Sequence, residues 1–394
     1  MQSYILADLV RIKNGKEHKT LPNGKYPVFG SGGIMRYVDK YLYNKPSVLL
    51  PRKGTLDNIQ YCDVPFWTVD TIYYTEVNTT LTNPYYLYRY LSLLDLSKLD
   101  SGTGVPSMTF DNYYGIRVSL PSIEEQTQIA KALQLFDKKI ELNRQINQNL
   151  EAMAKQLYDY WFVQFDFPDE NGRMYKSSGG KMVWNEKLKR DIPISWETKL
   201  IDDVAEIYNG ATPSTINELN YGGDIVWITP KDLSDQKQKF VYKGERNISQ
   251  VGYDSCSTHL LPSNTILMSS RAPIGLLAIA KTELCTNQGF KSFVPKSGNT
   301  AIYLYYYLQH HIRQVEQLGT GTTFKEVSRE DILKFPILKP SDNVLDLWEE
   351  MVSPLNDRQL EIQKENESLT KQRDELLPLL MNGQVSVNSD LSDD

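Results

Sequence analysis

Two short runs of the sequence end in basic residues beside a glycine, a pattern that suits contact with DNA. Arg52 and Lys53 follow the apolar run Ser47-Val-Leu-Leu-Pro and precede Gly54, and Arg271 follows a similar run later in the chain. Arginine can read guanine through two parallel hydrogen bonds, whereas phosphate contacts only position a protein on the duplex. A surface salt bridge, or an arginine that supports the fold, explains these residues about as well.

Each basic run is followed, further along the chain, by a Gly-Thr-Gly turn. Glycine amides and nearby hydroxyls allow close approach to a phosphate, although a plain tight turn explains the motif nearly as well. The candidate contacts are Gly102, Thr103, Gly104 and Ser107 at the first turn, and Gly319, Thr320, Gly321, Thr322, Thr323 and Lys325 at the second. Further candidates for DNA contact are Lys16, Lys231 and Asn287.

Two other fragments could take part in adenine methylation. The run Phe29-Gly-Ser-Gly-Gly33 suits a loop around S-adenosylmethionine, and Asn83-Pro-Tyr-Tyr86 is similar to the Asn-Pro-Pro-Tyr/Phe sequence that holds a target amino group. The second fragment lacks its second proline, and residues 1–121 are too short for a methyltransferase sheet as well as the strands described below. The sequence also contains no Walker loop and no acidic cluster suited to a nuclease metal. It therefore predicts no catalytic, cofactor-binding or metal-binding residue.

The elements that would position the candidate residues occur twice, in the same order. The matched segments are residues 9–15 with 204–210, 47–54 with 265–275, 67–71 with 285–289, 86–91 with 303–308, 102–104 with 319–321, and 118–121 with 337–340. Six collinear matches argue against chance resemblance between two α/β segments. The tyrosines within residues 86–91 and 303–308 have helical spacing, which is more typical of a core than of a base-stacking surface.

A long helical segment follows each copy, with apolar residues spaced alternately by four and three. These positions run from Ile129 to Trp161 and from Leu345 to Leu380, as in the seam of a coiled coil. Polar residues interrupt both seams: Asn143, Asn147, Gln359, Asn366 and Arg373. We expect Pro354 to break or start the second helix, because proline lacks the backbone donor. An antiparallel pair would form a rod of about 60 Å with a globular segment at each end; two ordinary amphipathic helices are the alternative.

The charge of the chain is unevenly distributed. Lysine and arginine number 43 against 49 aspartates and glutamates, yet residues 1–121 hold 13 basic and 10 acidic residues while 341–394 hold 4 and 13. The acidity thus lies in the last helix and the tail, and the rest of the chain permits DNA contact. Three cysteines without CxxC spacing, no membrane-spanning run and no signal-peptide layout favour a cytoplasmic protein.

Four longer motifs carry a family resemblance. They are residues 26–34, Leu120-Pro-Ser-Ile-Glu-Glu-Gln126, Ile140-Glu-Leu-Asn-Arg144-Gln-Ile, and Arg373-Asp-Glu-Leu-Leu-Pro-Leu-Leu-Met-Asn-Gly383. The chain resembles, over nearly its whole length, the DNA-specificity subunits of type I restriction-modification systems. In one place it departs from the family's pattern, because Leu338-Lys-Pro-Ser-Asp-Asn343 lacks the Glu-Glu-Gln found after Pro121-Ser. That departure puts the start of the second helix, and any subunit contact there, in doubt.

The resemblance implies a fold, a function and partners. The implied fold is α/β (α+β), with two tandem target-recognition domains joined by two long helices that form an antiparallel coiled-coil spacer. Each domain would read one half of a bipartite, asymmetric target in double-stranded DNA. The partners would be two modification subunits, which methylate adenine with S-adenosylmethionine, and two restriction subunits, which use ATP and Mg²⁺. This chain would then be a non-catalytic specificity subunit.

The expected boundaries follow from the repeat. They are 1–121 for the first recognition domain, 122–165 for the first helix, 166–198 for a linker rich in turn signals, 199–340 for the second recognition domain, 341–383 for the second helix, and 384–394 for an acidic, disordered tail. Three alternatives remain open. They are the specificity subunit of a type IIB system, a coiled-coil scaffold that binds no DNA, and a free-standing adenine methyltransferase.

Overall fold

The computed structural model describes residues 1–99, 106–321 and 325–387, and the chain divides into two compact units. The first unit combines Met1–Leu142 with the carboxy-terminal segment from Asn366, and the second is Asn143–Glu365. Each of two long helices therefore contributes residues to both units. The expected recognition-domain boundaries were drawn on the repeat rather than on packing, and they stay a prediction.

The first unit combines several short helices with its strands before the first long helix begins. Its elements are β1 (Gln2–Ile5), α1 (Leu6–Leu9), β2 (Val10–Asn14), β3 (Asn23–Gly30), β4 (Gly33–Val38), β5 (Ser47–Pro51), β6 (Gln60–Cys62), β7 (Trp67–Thr68), β8 (Ile72–Val77), α2 (Pro84–Ser92), α3 (Phe110–Tyr114), β9 (Arg117–Leu120) and α4 (Ile123–Tyr158). The strand orders are β2-β8-β5-β6, β4-β3-β7 and β1-β9. Strand β5 is buried throughout, as its continuous apolar run predicts for a central strand.

The second unit contains a larger sheet and the first part of the second long helix. Its elements are β10 (Met182–Asn185), β11 (Arg190–Pro193), β12 (Glu197–Leu200), α5 (Ile201–Val204), β13 (Ala205–Asn209), β14 (Tyr221–Ile225), β15 (Trp227–Ile228), α6 (Pro230–Gln236), β16 (Phe240–Val241), α7 (Gln250–Asp254), β17 (Ile266–Ser270), β18 (Ile274–Ala280), β19 (Cys285–Thr286), β20 (Phe290–Pro295), α8 (Ala301–His310), α9 (Ile312–Gln317), α10 (Arg329–Leu333), β21 (Pro336–Lys339) and α11 (Asp342–Met381). The strand orders are β13-β20-β17-β18-β16, β15-β19, β12-β21 and β10-β11.

The expected tandem repeat is present in the hydrogen bonding of the two units. Strands β1 and β9 pair antiparallel, as do β12 and β21. The amide of Ile5 donates to the carboxylate of Asp8 at 3.0 Å in the first unit. The amide of Leu200 donates to Asp203 at 2.8 Å in the second. The same local bond therefore starts α1 and α5, where a carboxylate caps the orphan amides of a helix.

The segment expected to be a linker, residues 166–198, has a compact aromatic core within the second unit. Strands β10 and β11 form a hairpin, and the ring of Phe167 stacks on Trp196 at 5.0 Å and on Tyr175 at 4.7 Å. Trp196 is buried, whereas Trp184 is exposed. The turn signals are real, since Gly172 and Gly179 have positive φ values, but they connect packed structure rather than a flexible tether.

The two long helices run antiparallel within each unit. In the second unit, Asn147 Nδ2 donates to the carbonyl of Gln359, and Gln359 Nε2 donates to the carbonyl of Asn147, both at 3.2 Å. In the same unit, Asn143 Nδ2 donates to Glu365 Oε2 at 2.8 Å, so an earlier position on α4 meets a later position on α11. In the first unit, Arg373 Nη1 of α11 donates to Asp137 of α4 at 2.9 Å. The polar seam residues thus bond across the pair, as register-fixing residues do.

The expectation that Pro354 would break or start the second helix is wrong. Helix α11 is continuous from Asp342 to Met381. Val352 is buried in the core of the second unit, and Leu355 packs against the same core. These contacts hold the proline's turn in place, because tertiary packing can compensate for one missing backbone hydrogen bond.

Candidate nucleic-acid interface

In the first unit, the basic run after β5 lies beside the segment that follows the first Gly-Thr-Gly turn. The amide of Arg52 donates to the carbonyl of Thr71 at 2.9 Å, and the carbonyl of Arg52 accepts from the amide of Met108 at 3.0 Å. Lys53 and Ser107 form an isolated antiparallel bridge. The structure therefore brings Ser107 next to Arg52 and Lys53, which lie far from it in the sequence.

The side chains of this basic run differ in exposure. Lys53 is exposed, whereas Arg52 is half-buried. The Arg52 guanidinium donates to the carbonyl of Asp70 at 3.3 Å and lies 5.8 Å from the centre of the Tyr73 ring. Arg52 thus supports the fold, and Lys53 offers the more accessible cation.

In the second unit, the run after β17 has the same backbone frame. The amide of Ser270 donates to the carbonyl of Gly289 at 2.8 Å, and the carbonyl of Ser270 accepts from Val327 at 3.1 Å. Arg271 and Glu326 form the isolated antiparallel bridge. The hydrogen-bond register makes Ser270 equivalent to Arg52 and Arg271 equivalent to Lys53. Arg271 therefore corresponds to the second of the two basic residues and not to the first.

The Gly-Thr-Gly turns are only partly described. Gly102, Thr103, Gly104, Thr322 and Thr323 lie outside the described residues. Thr320, Gly321 and Lys325 are exposed, and the amide of Thr320 donates to the carbonyl of Glu326 at 3.1 Å. A Cβ on Gly319 would meet the carbonyl oxygen of Glu316 at 3.1 Å, and Gly321 has a φ of +128°. The second turn therefore needs its glycines for backbone reasons, whatever it contacts.

Lys16 lies at a turn in the first unit, and Asn287 directly follows the residue that bonds to the equivalent turn in the second unit. The amide of Lys16 donates to the carbonyl of Thr68 at 2.7 Å, and the amide of Ala211 donates to the carbonyl of Thr286 at 2.9 Å. The Lys16 side chain is exposed. Asn287 instead accepts the amide of Gly289 through its side chain at 2.9 Å, which gives it a structural role in its turn.

Lys231 lies in the first turn of α6 and forms an ion pair with Glu245 at 2.9 Å. Both side chains are exposed, so the pair is open to solvent. Pro230 packs close to Gly289, because a Cβ on that glycine would meet the proline ring at 2.8 Å. Lys231 is thus near the second candidate face, but a carboxylate already neutralises it.

The two methyltransferase-like fragments have structural explanations. Asn83 caps α2, because its side chain accepts the amides of Tyr85 at 3.0 Å and Tyr86 at 3.1 Å. The glycine run forms the turn between β3 and β4, where the carbonyl of Ser31 accepts from Asn58 at 2.6 Å. Gly54 approaches Ser31, since a Cβ there would meet its hydroxyl at 3.5 Å. This turn therefore adjoins the first candidate face, which the sequence did not indicate.

The interpretation of the sequence did not identify the acidic residue of the second face. Glu326 Oε2 lies 3.8 Å from Arg271 Nη1, and Glu326 Oε1 lies 3.3 Å from Lys291 Nζ. The Lys291 side chain is only 7% exposed. A search of the sequence for basic and amide residues does not select a glutamate. Glu326 is identified only by its bridge to Arg271.

Metal-ligating and membrane-spanning features can be assessed over the described part of the chain. Within residues 1–99, 106–321 and 325–387, no three His, Cys, Asp or Glu side chains are grouped so that they could hold a metal ion. Over the same residues, no helix has the length and apolar character needed to cross a membrane.

Comparisons with known proteins agree with the repeat. A family model described as the type I restriction modification DNA specificity domain matches residues 1–152 and 193–366. The type I restriction enzyme MjaIX specificity subunit of Methanocaldococcus jannaschii is 38% identical over 197 residues, which are 48% of this chain and 46% of that subunit. The match thus spans about half the length of that relative. The HindI specificity subunit of Haemophilus influenzae is 28% identical over 338 residues, which are 72% of each chain.

A solved structure gives the same fold. The type I restriction-modification S subunit from M. genitalium superposes with a TM-score of 0.62 at 16% identity, covering 96% of this chain and 95% of that one. At this identity the likeness shows the fold alone. The family model covers well over half of the chain, and so the protein belongs to the type I restriction-modification DNA specificity family.

Proposed function

We propose that this chain reads a bipartite, asymmetric target in double-stranded DNA and docks the modification subunits that methylate adenine there. The observation that carries the proposal is the repeated backbone frame with different side chains. Lys53 and Ser107 occupy the frame in the first unit, and Arg271 and Glu326 occupy it in the second. Since side chains at base edges read sequence, two equivalent frames with unlike side chains suit two different half-sites.

The exposed cations of the two faces support approach to a phosphate backbone. Lys16 and Lys53 are exposed in the first unit, and Lys325 is exposed in the second. Lysine contacts with phosphate release counterions, so binding through these faces should weaken steeply as the salt concentration rises. The negative net charge of the chain does not oppose this proposal, because the excess of acidic residues lies in residues 341–394.

The chemistry of the complex would reside in its other subunits. S-adenosylmethionine would bind to two modification subunits, and ATP and Mg²⁺ would bind to two restriction subunits. This chain would contribute position rather than a reacting group, because Asn83 is already used as a helix cap. The named relatives are type I subunits, which favours a type I complex over a type IIB one. Such a complex would act on DNA in the cytoplasm.

Methylation mapping tests the proposal. DNA from cells that express this chain with its modification subunit should carry methylated adenine in a split motif, and deletion of this chain should abolish that motif. Lys53→Ala should impair one half of the motif and Arg271→Ala the other, whereas Lys189→Ala, an exposed lysine of a surface ion pair, should impair neither. Unchanged methylation after deletion, with an active modification subunit, would instead support a scaffold without a DNA role.

A further inference from the structure

A carboxylate lies beside the arginine of the second candidate face. Glu326 Oε2 is 3.8 Å from Arg271 Nη1, and the two side chains are 41% and 40% exposed. The backbone of Glu326 is fixed, because its amide donates to the carbonyl of Thr320 at 3.0 Å and its carbonyl accepts from the amide of Thr320 at 3.1 Å. The pair thus presents one acceptor and one donor group side by side to solvent.

The other oxygen of Glu326 is already occupied within the protein. Oε1 lies 3.3 Å from Nζ of the buried Lys291 and 3.5 Å from the hydroxyl of Ser270. A buried lysine needs one acceptor to offset the loss of its hydration, and Oε1 supplies it. Oε2 is not needed for that purpose, and it lies on the side of Arg271.

A carboxylate on a DNA-reading face would be repelled by phosphates, so it must face base edges. In the major groove, guanine presents the acceptors N7 and O6, and its partner cytosine presents the donor N4. A guanidinium beside a carboxylate is complementary to that row of groups. An A·T pair presents a donor on adenine and an acceptor on thymine O4, which leaves the carboxylate facing an acceptor when the arginine lies over the purine.

We propose that Arg271 and Glu326 together read one G·C base pair in the half-site of the second unit. Arg271 donates to guanine N7 and O6, and Glu326 Oε2 accepts from cytosine N4. This inference rests on the proposed DNA-reading function and assigns its specificity at one position. The first unit has Lys53 and Ser107 at the equivalent places, so it lacks the carboxylate and reads its own half-site by another arrangement.

Base selectivity measured in the assembled complex tests the assignment. The complex of this chain with its modification subunit is incubated with duplexes that contain the mapped motif and are randomised in turn at each position of the second half-site. Glu326→Gln should reduce the preference for G·C at one position about 10- to 100-fold, with the other positions unchanged. Arg271→Lys should reduce the preference at the same position. Glu197→Gln, which alters an exposed ion pair with Lys199, is the matched control and should retain the full motif.

Three outcomes would overturn the assignment. The first is a second half-site without a G·C pair, and the second is Glu326→Gln with wild-type selectivity at every position. If the Glu326→Gln complex methylates no duplex, the Arg271→Lys complex is measured instead. Unchanged selectivity in that variant is the third outcome that would overturn the assignment. None of these touches the proposed function, which fails only if the wild-type motif does not depend on this chain.

Discussion

The two units attach their tyrosine-containing helices to the long helices through buried polar clusters of different composition. In the first unit, the carboxylate of Asp137 on α4 accepts from Arg89 and Tyr85 of α2, and from Arg373 of α11 at 2.9 Å. We call these four residues the carboxylate-centred cluster. One acidic group there balances two arginines.

In the second unit, a lysine takes the central place. Lys239 Nζ donates to Glu151 at 2.9 Å, to the Tyr306 hydroxyl at 2.6 Å, to Asn356 at 2.6 Å and to Gln359 at 3.2 Å. We call these five residues the lysine-centred cluster. It comprises a cation from the chain before β16, a tyrosine of α8, and polar residues of both long helices.

Residues of the two clusters occupy equivalent positions, although their side chains differ in charge. Tyr306 is the counterpart of Arg89 in the matched segments 303–308 and 86–91. Asn356 and Asp137 lie at the same distance after the equivalent strands β21 and β9. Asp137 and Arg89 of the first cluster therefore correspond to neutral residues in the second, where Lys239 and Glu151 supply the ion pair. The difference teaches that the fold requires a satisfied polar contact at this place, but not a particular arrangement of charge.

The largest effect is expected from Asp137→Ala. Removing the carboxylate leaves Arg89, 8% exposed, without its acidic partner, and leaves Arg373, 18% exposed, with only the exposed Asp374. An uncompensated buried charge costs about 3–5 kcal/mol. Urea unfolding should show this loss, and hydrogen exchange should rise in Pro84–Ser92. Asp374→Ala, which removes an exposed partner of Arg373, is the control and should cost under about 1 kcal/mol; equal losses in the two variants would contradict the comparison.

Acid should weaken the first unit through the same residue. Burial raises the pKa of Asp137, but the hydrogen bond from Tyr85, the charge of Arg89 and the hydrogen bond from Arg373 outweigh it, so the pKa lies below its usual 3.8. The unfolded chain then binds the proton first, and stability is lost as the pH falls below about 4. Urea unfolding between pH 5 and 3 should show a smaller decline in Asp137→Ala than in the wild type. Parallel declines would exclude this residue as the cause.

Lys239→Met should cost less than Asp137→Ala, about 1–2 kcal/mol at pH 7. Glu151, the charge left behind, is 30% exposed and can be hydrated. Methionine also fills a similar volume without the cost of burying an ammonium group. Hydrogen exchange of Ala301–His310 should report the loss. A cost as large as that of Asp137→Ala would show that exposure of the remaining charge does not decide the outcome.

Alkaline pH should favour the second unit. Burial lowers the pKa of Lys239 to about 8 despite the charge of Glu151, against 10.5 for an exposed lysine. Between these values the unfolded chain binds the proton and the folded chain does not, so stability rises with pH. The wild type should therefore gain about 1–2 kcal/mol relative to Lys239→Met between pH 8 and 9.5. A constant difference between the two proteins across that range would be the opposite result.

The smallest effects are expected from removing one phenol in each cluster. Tyr85→Phe deletes a bond to Asp137 and the acceptor for Arg89 Nε, at 2.9 Å. Tyr306→Phe deletes the acceptor for Lys239 and a bond to Glu151 at 3.1 Å. Each should cost about 1 kcal/mol in urea unfolding. Similar values would assign the difference between the clusters to their charges, and a much larger value in one unit would assign it to the phenol.

Much of the fold could be predicted because it is periodic or repeated. The seam spacing predicted both long helices, and the matched segments predicted strands that the structure pairs in the same way. Polar seam residues such as Asn147 and Gln359 do bond across the helices. Pro354 was misjudged, because a local backbone rule cannot weigh the buried contacts of Val352 and Leu355 on the same turn.

The candidate interface was predictable only in part. Lys53, Ser107 and Arg271 were chosen by residue type, and the structure places them on equivalent frames. Glu326 was missed because its relevance depends on a contact with Arg271, 55 positions away in the printed chain. Lys239 was missed for the same reason, since nothing near it in sequence reveals that it meets two helices. Contacts between distant segments, rather than local patterns, decide these roles.

The matching turns at Lys16 and Ala211 have a consequence for redesign, because each accepts a hydrogen bond from a tryptophan. Trp67 Nε1 donates to the carbonyl of Lys16 at 2.9 Å, and Trp227 Nε1 donates to the carbonyl of Ala211 at 3.1 Å. Trp67 lies on β7, whereas Trp227 lies on β15, the counterpart of β3. The equivalent carbonyls of Lys16 and Ala211 therefore accept hydrogen bonds from tryptophans on opposite strands of the pair. An engineer who grafts one unit's turn onto the other could therefore move the tryptophan to the opposite strand. The neighbouring residues would have to be moved with it.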